Sequence, residues 1–173
     1  YDQSMINLSS GLIEGQATAE SGSMFTMTGG GLGGGFVAED GSNVRIEGGV
    51  VGDFFSAESG STLEVTGGQF GDRFDSSSRA MTTISGGAFG REFEISNGSF
   101  NQSRLVGGEF KLNGTEITNI DASLSNDYLF TGTFADGSVF LFSDLGEDLI
   151  SQFSGSNNLL EVVELDPINT NPI

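Results

Sequence analysis

Apolar and polar positions recur along this chain on a fixed step. Gly-Gly pairs begin at Gly29, Gly48, Gly67 and Gly86, three steps of 19 residues, and another begins at Gly107 after a step of 21; Ser10-Gly11 lies one further step of 19 upstream. With the first residue of each pair as origin, the position two before it holds Leu8, Met27, Ile46, Val65, Ile84 and Leu105. The position four before it holds Ile6, Phe25, Val44, Leu63, Thr82 and Ser103. Residues between them are mostly polar, and alternation of period two predicts a strand with one face buried.

Two further apolar faces follow each pair. Three positions after it stand Ile13, Leu32, Val51, Phe70, Phe89 and Phe110; seven after it stand Ala17, Phe36, Phe55, Phe74 and Phe93; nine after it stand Ala19, Ala38, Ala57, Ser76 and Ile95. Three breaks separate the faces: the Gly-Gly pair, the column Gly33, Gly52, Gly71 and Gly90, and the turns Ser21-Gly22-Ser23, Asp40-Gly41-Ser42 and Ser59-Gly60-Ser61. Glycine turns corners at positive φ, Ser and Asp support turns, and together they disfavour helix. Three short strands and three corners in every 19 residues predict an all-β chain wound as a parallel β-helix of about six rungs. A right-handed coil is expected, because the hexapeptide alternation of the left-handed triangular coil is absent.

In such a coil equivalent residues lie about 4.8 Å apart on successive rungs, so every column stacks on itself. Phe36, Phe55, Phe74 and Phe93 are expected to form an internal aromatic ladder, with Phe70, Phe89 and Phe110 as a second core column. Phe54 points the other way by alternation. Stacking also places Arg45 beside Glu64, Asp72 beside Arg91 and Arg73 beside Glu92, exposed pairs whose main effect is to fix register.

The repeat array is assigned to residues 1–117, with a two-residue insertion in Asn101-Gln102-Ser103-Arg104, and a C-terminal cap to residues 118–173. Residues 128–144, YLFTGTFADGSVFLFSD, predict a hairpin around Ala135-Asp136-Gly137, and residues 159–165, LLEVVEL, a further strand. The last eight residues, DPINTNPI, predict an extended tail punctuated by Pro167 and Pro172.

The recurring GG, apolar, Gly, Phe, Ala, SGS pattern, together with LFTGTFADGSVFLF, resembles the Gly-rich parallel β-helix repeat proteins exported by bacteria, notably of the planctomycete type. The resemblance spans about residues 6–143. It implies a fold and an extracellular or cell-surface setting rather than an activity.

Charge narrows the partners. The 173 residues hold 24 acidic and 6 basic side chains, a net charge of −18, and all the basic ones lie before residue 118. Nucleic acid and anionic membrane surfaces are therefore repelled. No stretch is long and apolar enough to insert in a membrane, and a chain opening on Tyr1 is expected of a trimmed, exported form. Without Cys or His there is no thiolate site, and neither the commonest general base nor the commonest transition-metal ligand is present.

Chemistry is therefore sought among carboxylates. Glu20, Glu39 and Glu58 occupy one outward column, and with Asp40 they form a candidate calcium site, calcium being the one cofactor considered. Asp53, Asp72 and Asp75, with Arg73, form the constellation that polysaccharide binding or hydrolysis would need, although no long loops wall a cleft around them. An ice-binding face built on Thr26, Thr28, Thr83 and Ser85 is interrupted by Arg45, Glu47 and Glu64. Asn7, Asn97, Asn101 and Asn113 each begin an Asn-x-Ser/Thr sequon, as chance allows in so Ser- and Thr-rich a chain.

A solenoid has two ends whose backbone groups lack partners, and such ends pair with other chains. The functional expectation is a noncatalytic structural subunit of a surface, matrix, adhesive or filament, forming homo-oligomers through Ile6 and Leu8 at one end or Leu159, Leu160, Val162 and Val163 at the other.

Overall fold

The computed structural model describes residues 4–97, 103–120, 124, 127–152 and 159–165. No α-helix occurs among them; parallel strands about 19 residues apart stack into a β-solenoid of about five turns. Asn101, Gln102 and the tail 166–173 lie outside the described residues.

The first face carries Met5–Leu8, Met24–Met27, Asn43–Ile46, Thr62–Phe70, Met81–Ala88 and Arg104–Leu112, stacked in that order and all in parallel. Register equals one repeat: Ile6 faces Phe25, Phe25 faces Val44, and Leu63 faces both Val44 and Thr82. Leu12–Ile13, Gly31–Leu32 and Val50–Val51 begin the second face, which continues in the second half of Thr62–Phe70. On the third face Thr18–Ala19, Val37–Ala38, Ser56–Ala57, Asp75–Ser76 and Glu94–Asn97 stack in parallel.

The Gly-Gly pair divides two tasks. Its second residue takes the left-handed conformation, with φ of 82° at Gly30, 95° at Gly49, 100° at Gly68 and 104° at Gly87. Its first residue lets rungs touch, because a Cβ on Gly29 would stand 2.7 Å from the carbonyl oxygen of Ser9. The corner expected at Gly33, Gly52, Gly71 and Gly90 is built differently. There the left-handed residue comes two positions later, at Gly35, Phe54, Arg73 and Glu92, with φ of 79°, 63°, 65° and 59°.

The aromatic ladder is present. Phe36, Phe55, Phe74 and Phe93 are buried and stack with centroids 5.4, 5.4 and 5.1 Å apart, their planes within 10° of parallel. Phe70 and Phe89 stack beside them at 4.9 Å and meet the ladder edge-on. Full burial of each such ring contributes roughly 2–3 kcal/mol. Three polar side chains that enter the interior are hydrogen-bonded there: Ser76 and Thr82 share a hydroxyl–hydroxyl hydrogen bond of 2.7 Å, and Ser103 Oγ donates to the Ala80 carbonyl at 3.2 Å. Phe110 corrects the expectation of a continuous second column. It is buried against Phe130 and Phe140, while Phe134 and Phe142 occupy the space next to Phe89.

That displacement follows from the C-terminal region. Leu129–Phe134 and Val139–Ser143 form the expected antiparallel hairpin, which lies antiparallel on Arg104–Leu112, with Gly107 facing Phe134 and Leu112 facing Phe130. The coil then resumes. Leu149–Gln152 stacks in parallel on Glu94–Asn97, and Leu160–Val162 on Arg104–Leu112; Ile95 faces Ile150 and Leu105 faces Leu160, in each case across 55 residues of sequence. Rungs and hairpin share one hydrophobic core.

Candidate functional site

The two ends of the coil are built differently, and the C-terminal end is closed. Phe142 of the hairpin stacks on Phe93 at 4.1 Å and extends the ladder by one ring. The buried carboxylate of Asp148 accepts hydrogen bonds from the Phe93 N–H and the Ser143 N–H, each 2.9 Å long, so it ties the last repeat to the hairpin. Tyr128 donates its hydroxyl proton to the Asp148 carbonyl at 2.6 Å. Burial, with Asp148 and Asp144 close by, pushes the Tyr128 phenol well above its usual range. At the hairpin turn Asp136 accepts from Gly87 N at 3.1 Å and from Ser138 N at 2.8 Å.

This closure corrects part of the expected association surface. Leu159 and Leu160 are 0% and 1% exposed, filling the core where the coil resumes, so their side chains serve this chain's own fold. Val162 is exposed, and Val163 is half-buried and donates its N–H to the Gly107 carbonyl at 2.7 Å.

The first described rung is less covered than those above it. Ile6 is 51% exposed, whereas Phe25, Val44, Leu63 and Thr82 in the same column are between 0% and 3% exposed. Leu8, Ile13 and Ala17 are half-buried at the heads of their own columns, and Met5 and Leu12 are exposed beside them. Ser4 and Leu8 turn their carbonyls to the next rung, accepting from Met24 N at 2.8 Å and Thr28 N at 2.9 Å. Backbone groups alternate sides along a strand, so the N–H and C=O of Met5 and Asn7 point away from the coil.

A second feature runs along the corner after the second face. Phe54, Arg73 and Glu92, all left-handed, stack on successive rungs: the Arg73 guanidinium lies 5.0 Å from the centroid of the exposed Phe54 ring, and its Nε is 2.5 Å from Glu92 Oε2. Beside them Asp53 accepts from Asp72 N and Asp72 from Arg91 N, both at 2.9 Å, with Arg91 paired to Asp72 at 3.2 Å. The Arg91 N–H and guanidinium hold the Asp72 carboxyl below its usual value. All three expected ion pairs form, Arg45 reaching Glu64 at 3.1 Å and also Glu47. Asp53 and Asp72 are thus engaged by the next rung's backbone. Asp75 differs. It lines a shallow cleft with Arg73, Glu92, Glu94 and Glu147, and burial, with Glu94 and Glu58 nearby, raises it to about 6.

The acidic column is dispersed. Glu39, Asp40 and Glu58 line one depression with Ser21 and Ser59, but among the described residues no three acidic side chains converge as an ion would require. Glu58 accepts from Ser56 Oγ at 2.9 Å, Asp40 lies over Gly60, and Glu20 is exposed on the first rung. Among the sequons, Asn7 is exposed, and the Asn113 side chain accepts from Leu129 N at 2.8 Å; Asn101 is outside the described residues.

Sequence reasoning did not single out Phe142 or Asp148, and read Asp136 only as a turn residue of the hairpin; all three close the coil. One signal was present: Glu94-Ile95-Ser96-Asn97 and Leu149-Ile150-Ser151-Gln152 share an Ile-Ser core followed by an amide, which marks where the rung returns. Compared with known proteins, the chain matches no protein family, and no curated protein or solved structure is significantly similar to it.

Proposed function

We propose that this protein is a noncatalytic structural module of an extracellular or cell-surface layer, matrix, adhesive or filament, a stiff rod that joins further copies of itself through an end of its coil. One observation carries the reading: among the described residues the inward columns are buried along the rod, while Ile6, Leu8, Ile13 and Ala17 on the first described rung are only partly covered. A contact between coil ends removes apolar surface from water and pairs main-chain groups at once. The bacterial export setting rests on the resemblance of the repeat. Sedimentation velocity over a range of concentrations tests the reading: self-association of the intact chain supports it, and a monomer at every concentration removes it.

A second reading is favoured by Asp75. A carboxyl raised to about 6 beside Glu94, in a cleft that also holds Arg73, is the kind of group that donates a proton to a glycosidic oxygen. On this reading the corner binds or cleaves an acidic polysaccharide. Asp75→Asn and Glu94→Gln would then abolish release of reducing ends from such a polymer; no release from the parent protein would eliminate the cleavage.

A further inference from the structure

We infer that the Gly-Gly corners along the side of the rod form a receptor for an acidic turn of a peptide partner, a corner glycine taking a carboxylate on its N–H and a hydroxyl on its carbonyl. The inference does not depend on association through an end of the coil, and either can fail alone.

The chain itself fills one such seat. At the corner Gly86-Gly87 the hairpin turn lies against the glycines: Asp136 Oδ2 accepts from Gly87 N at 3.1 Å, and Ser138 Oγ donates to the Gly87 carbonyl at 3.1 Å. Ala135 N and Asp136 N add hydrogen bonds of 3.0 Å to the carbonyls of Val106 and Ser85. The seat exists because the pair has no side chains, since a Cβ on Gly86 would collide with the Asp136 carboxylate. Both glycines are buried beneath the turn.

The same backbone recurs on earlier rungs without the turn. Gly30, Gly49 and Gly68 share the left-handed conformation of Gly87, with φ of 82°, 95° and 100° against 104°. The residues that follow them stack in register, Gly31 on Val50, Val50 on Gln69 and Gln69 on Ala88. Successive amides around a left-handed residue make a concavity that attracts anions. Among the described residues the N–H groups of Gly30 and Gly49 donate to no protein acceptor, and the three pairs Gly29-Gly30, Gly48-Gly49 and Gly67-Gly68 are half-buried where Gly86-Gly87 is buried. A depression of about 510 Å³ runs from Asp136 and Ser138 past Gly87 and Gly68 to Gly49, with the exposed Val50, Gln69 and Ala88 beside the glycines. Of the residues that line it only Asp136 is charged, so this strip of a strongly acidic protein carries no other side chain that repels a carboxylate.

Asp136 and Ser138 define the partner. A carboxylate supplies the acceptor and a hydroxyl two residues later supplies the donor, on a turn with glycine between them. A carboxylate alone makes one of these contacts; an Asp-Gly-Ser turn makes both.

The probe is a cyclised, fluorescently labelled peptide carrying residues 133–140, TFADGSVF, titrated with the intact protein and read by fluorescence anisotropy. Saturable binding is expected. Replacing the aspartate of the peptide by asparagine should weaken it at least about 10-fold, and so should Val50→Glu with Gln69→Glu in the protein, which set carboxylates beside the seat on exposed side chains. Asn43→Glu, an exposed position at the start of a first-face strand, adds the same kind of charge away from the depression and should leave binding unchanged, and circular dichroism should be the same for all three proteins. No binding at about 1 mM peptide, undiminished binding of the asparagine peptide, or an equal loss in Asn43→Glu overturns the receptor.

Discussion

Phe142 stacks on Phe93 with centroids 4.1 Å apart and planes 7° apart, although Phe142 lies on the hairpin strand Val139–Ser143 and Phe93 at the corner just before Glu94–Asn97 of the last repeat. The ring lies at the top of the ladder, where a further repeat would have placed its own phenylalanine. A residue from outside the repeat thereby seals the column.

Phe142→Ala should cost roughly 3–5 kcal/mol, the usual effect of removing a fully buried aromatic ring. Phe54→Ala, at an exposed ring of the same type, should change stability by less than about 1 kcal/mol. Urea denaturation of the two variants reads the difference. Equal losses would place the two rings in equivalent surroundings, contrary to the fold described.

Asp148→Ala removes the carboxylate that accepts from the Phe93 and Ser143 amides. Loss of a hydrogen bond from a buried N–H costs about 1–3 kcal/mol. Hydrogen exchange at Phe93 and Ser143 should accelerate far more than exchange at Val44 or Val65, in the middle of the rod.

Asp75 gives the protein a dependence on pH with a definite sign. Its folded value of about 6 lies above the unfolded carboxyl value, so folding takes up a proton. The ionised carboxylate opposes folding above about pH 6, and that penalty is relieved as pH falls toward about 4. Stability at about pH 5 should exceed that at about pH 7.5 by on the order of 1 kcal/mol, after allowance for solvent screening at this half-exposed site. Asp75→Asn should flatten the profile between those values and raise the melting temperature at neutral pH. Asp72, whose value is lowered by Arg91, acts in the opposite sense, losing its contribution only in more acidic solution.

Ser42 tests the interior corner. Its Oγ is buried without a hydrogen-bond partner, whereas Ser23 and Ser61, at the same place in neighbouring repeats, donate to the carbonyls of Glu20 and Glu58 at 2.6 Å. Ala80 takes that place one rung further on and is fully buried. Ser42→Ala should therefore stabilise the protein or leave it unchanged, while Ser61→Ala should cost about 1 kcal/mol. Matched thermal melts decide between them.

The rungs were legible because a solenoid repeats its environment. Each column meets the same neighbours, so the residues at 36, 55, 74 and 93 answer to one physical demand and are all phenylalanine. The ion pairs across rungs were legible for the same reason. Leu159 and Leu160 were misplaced because the hairpin interrupts the repeat, and the strand that holds them returns to register only 55 residues after Leu105. Phe110 left its column for the related reason that the hairpin occupies the space the next rung would fill. The left-handed backbone at Phe54, Arg73 and Glu92 was hidden by the glycines two positions earlier, which are there for close approach between rungs. Of the candidate association surface, Ile6 and Leu8 were legible as inward positions of the first strand.

Distances between spin labels test the winding of the chain most directly. The protein has no cysteine, so pairs introduced at Met24, Asn43, Thr62 and Met81, which face one another on four successive rungs, carry labels at known positions. The coil predicts separations that grow by about 4.8 Å per rung, reaching about 14 Å between the labels at residues 24 and 81. Separations that do not rise in equal steps would contradict the solenoid and everything inferred from it.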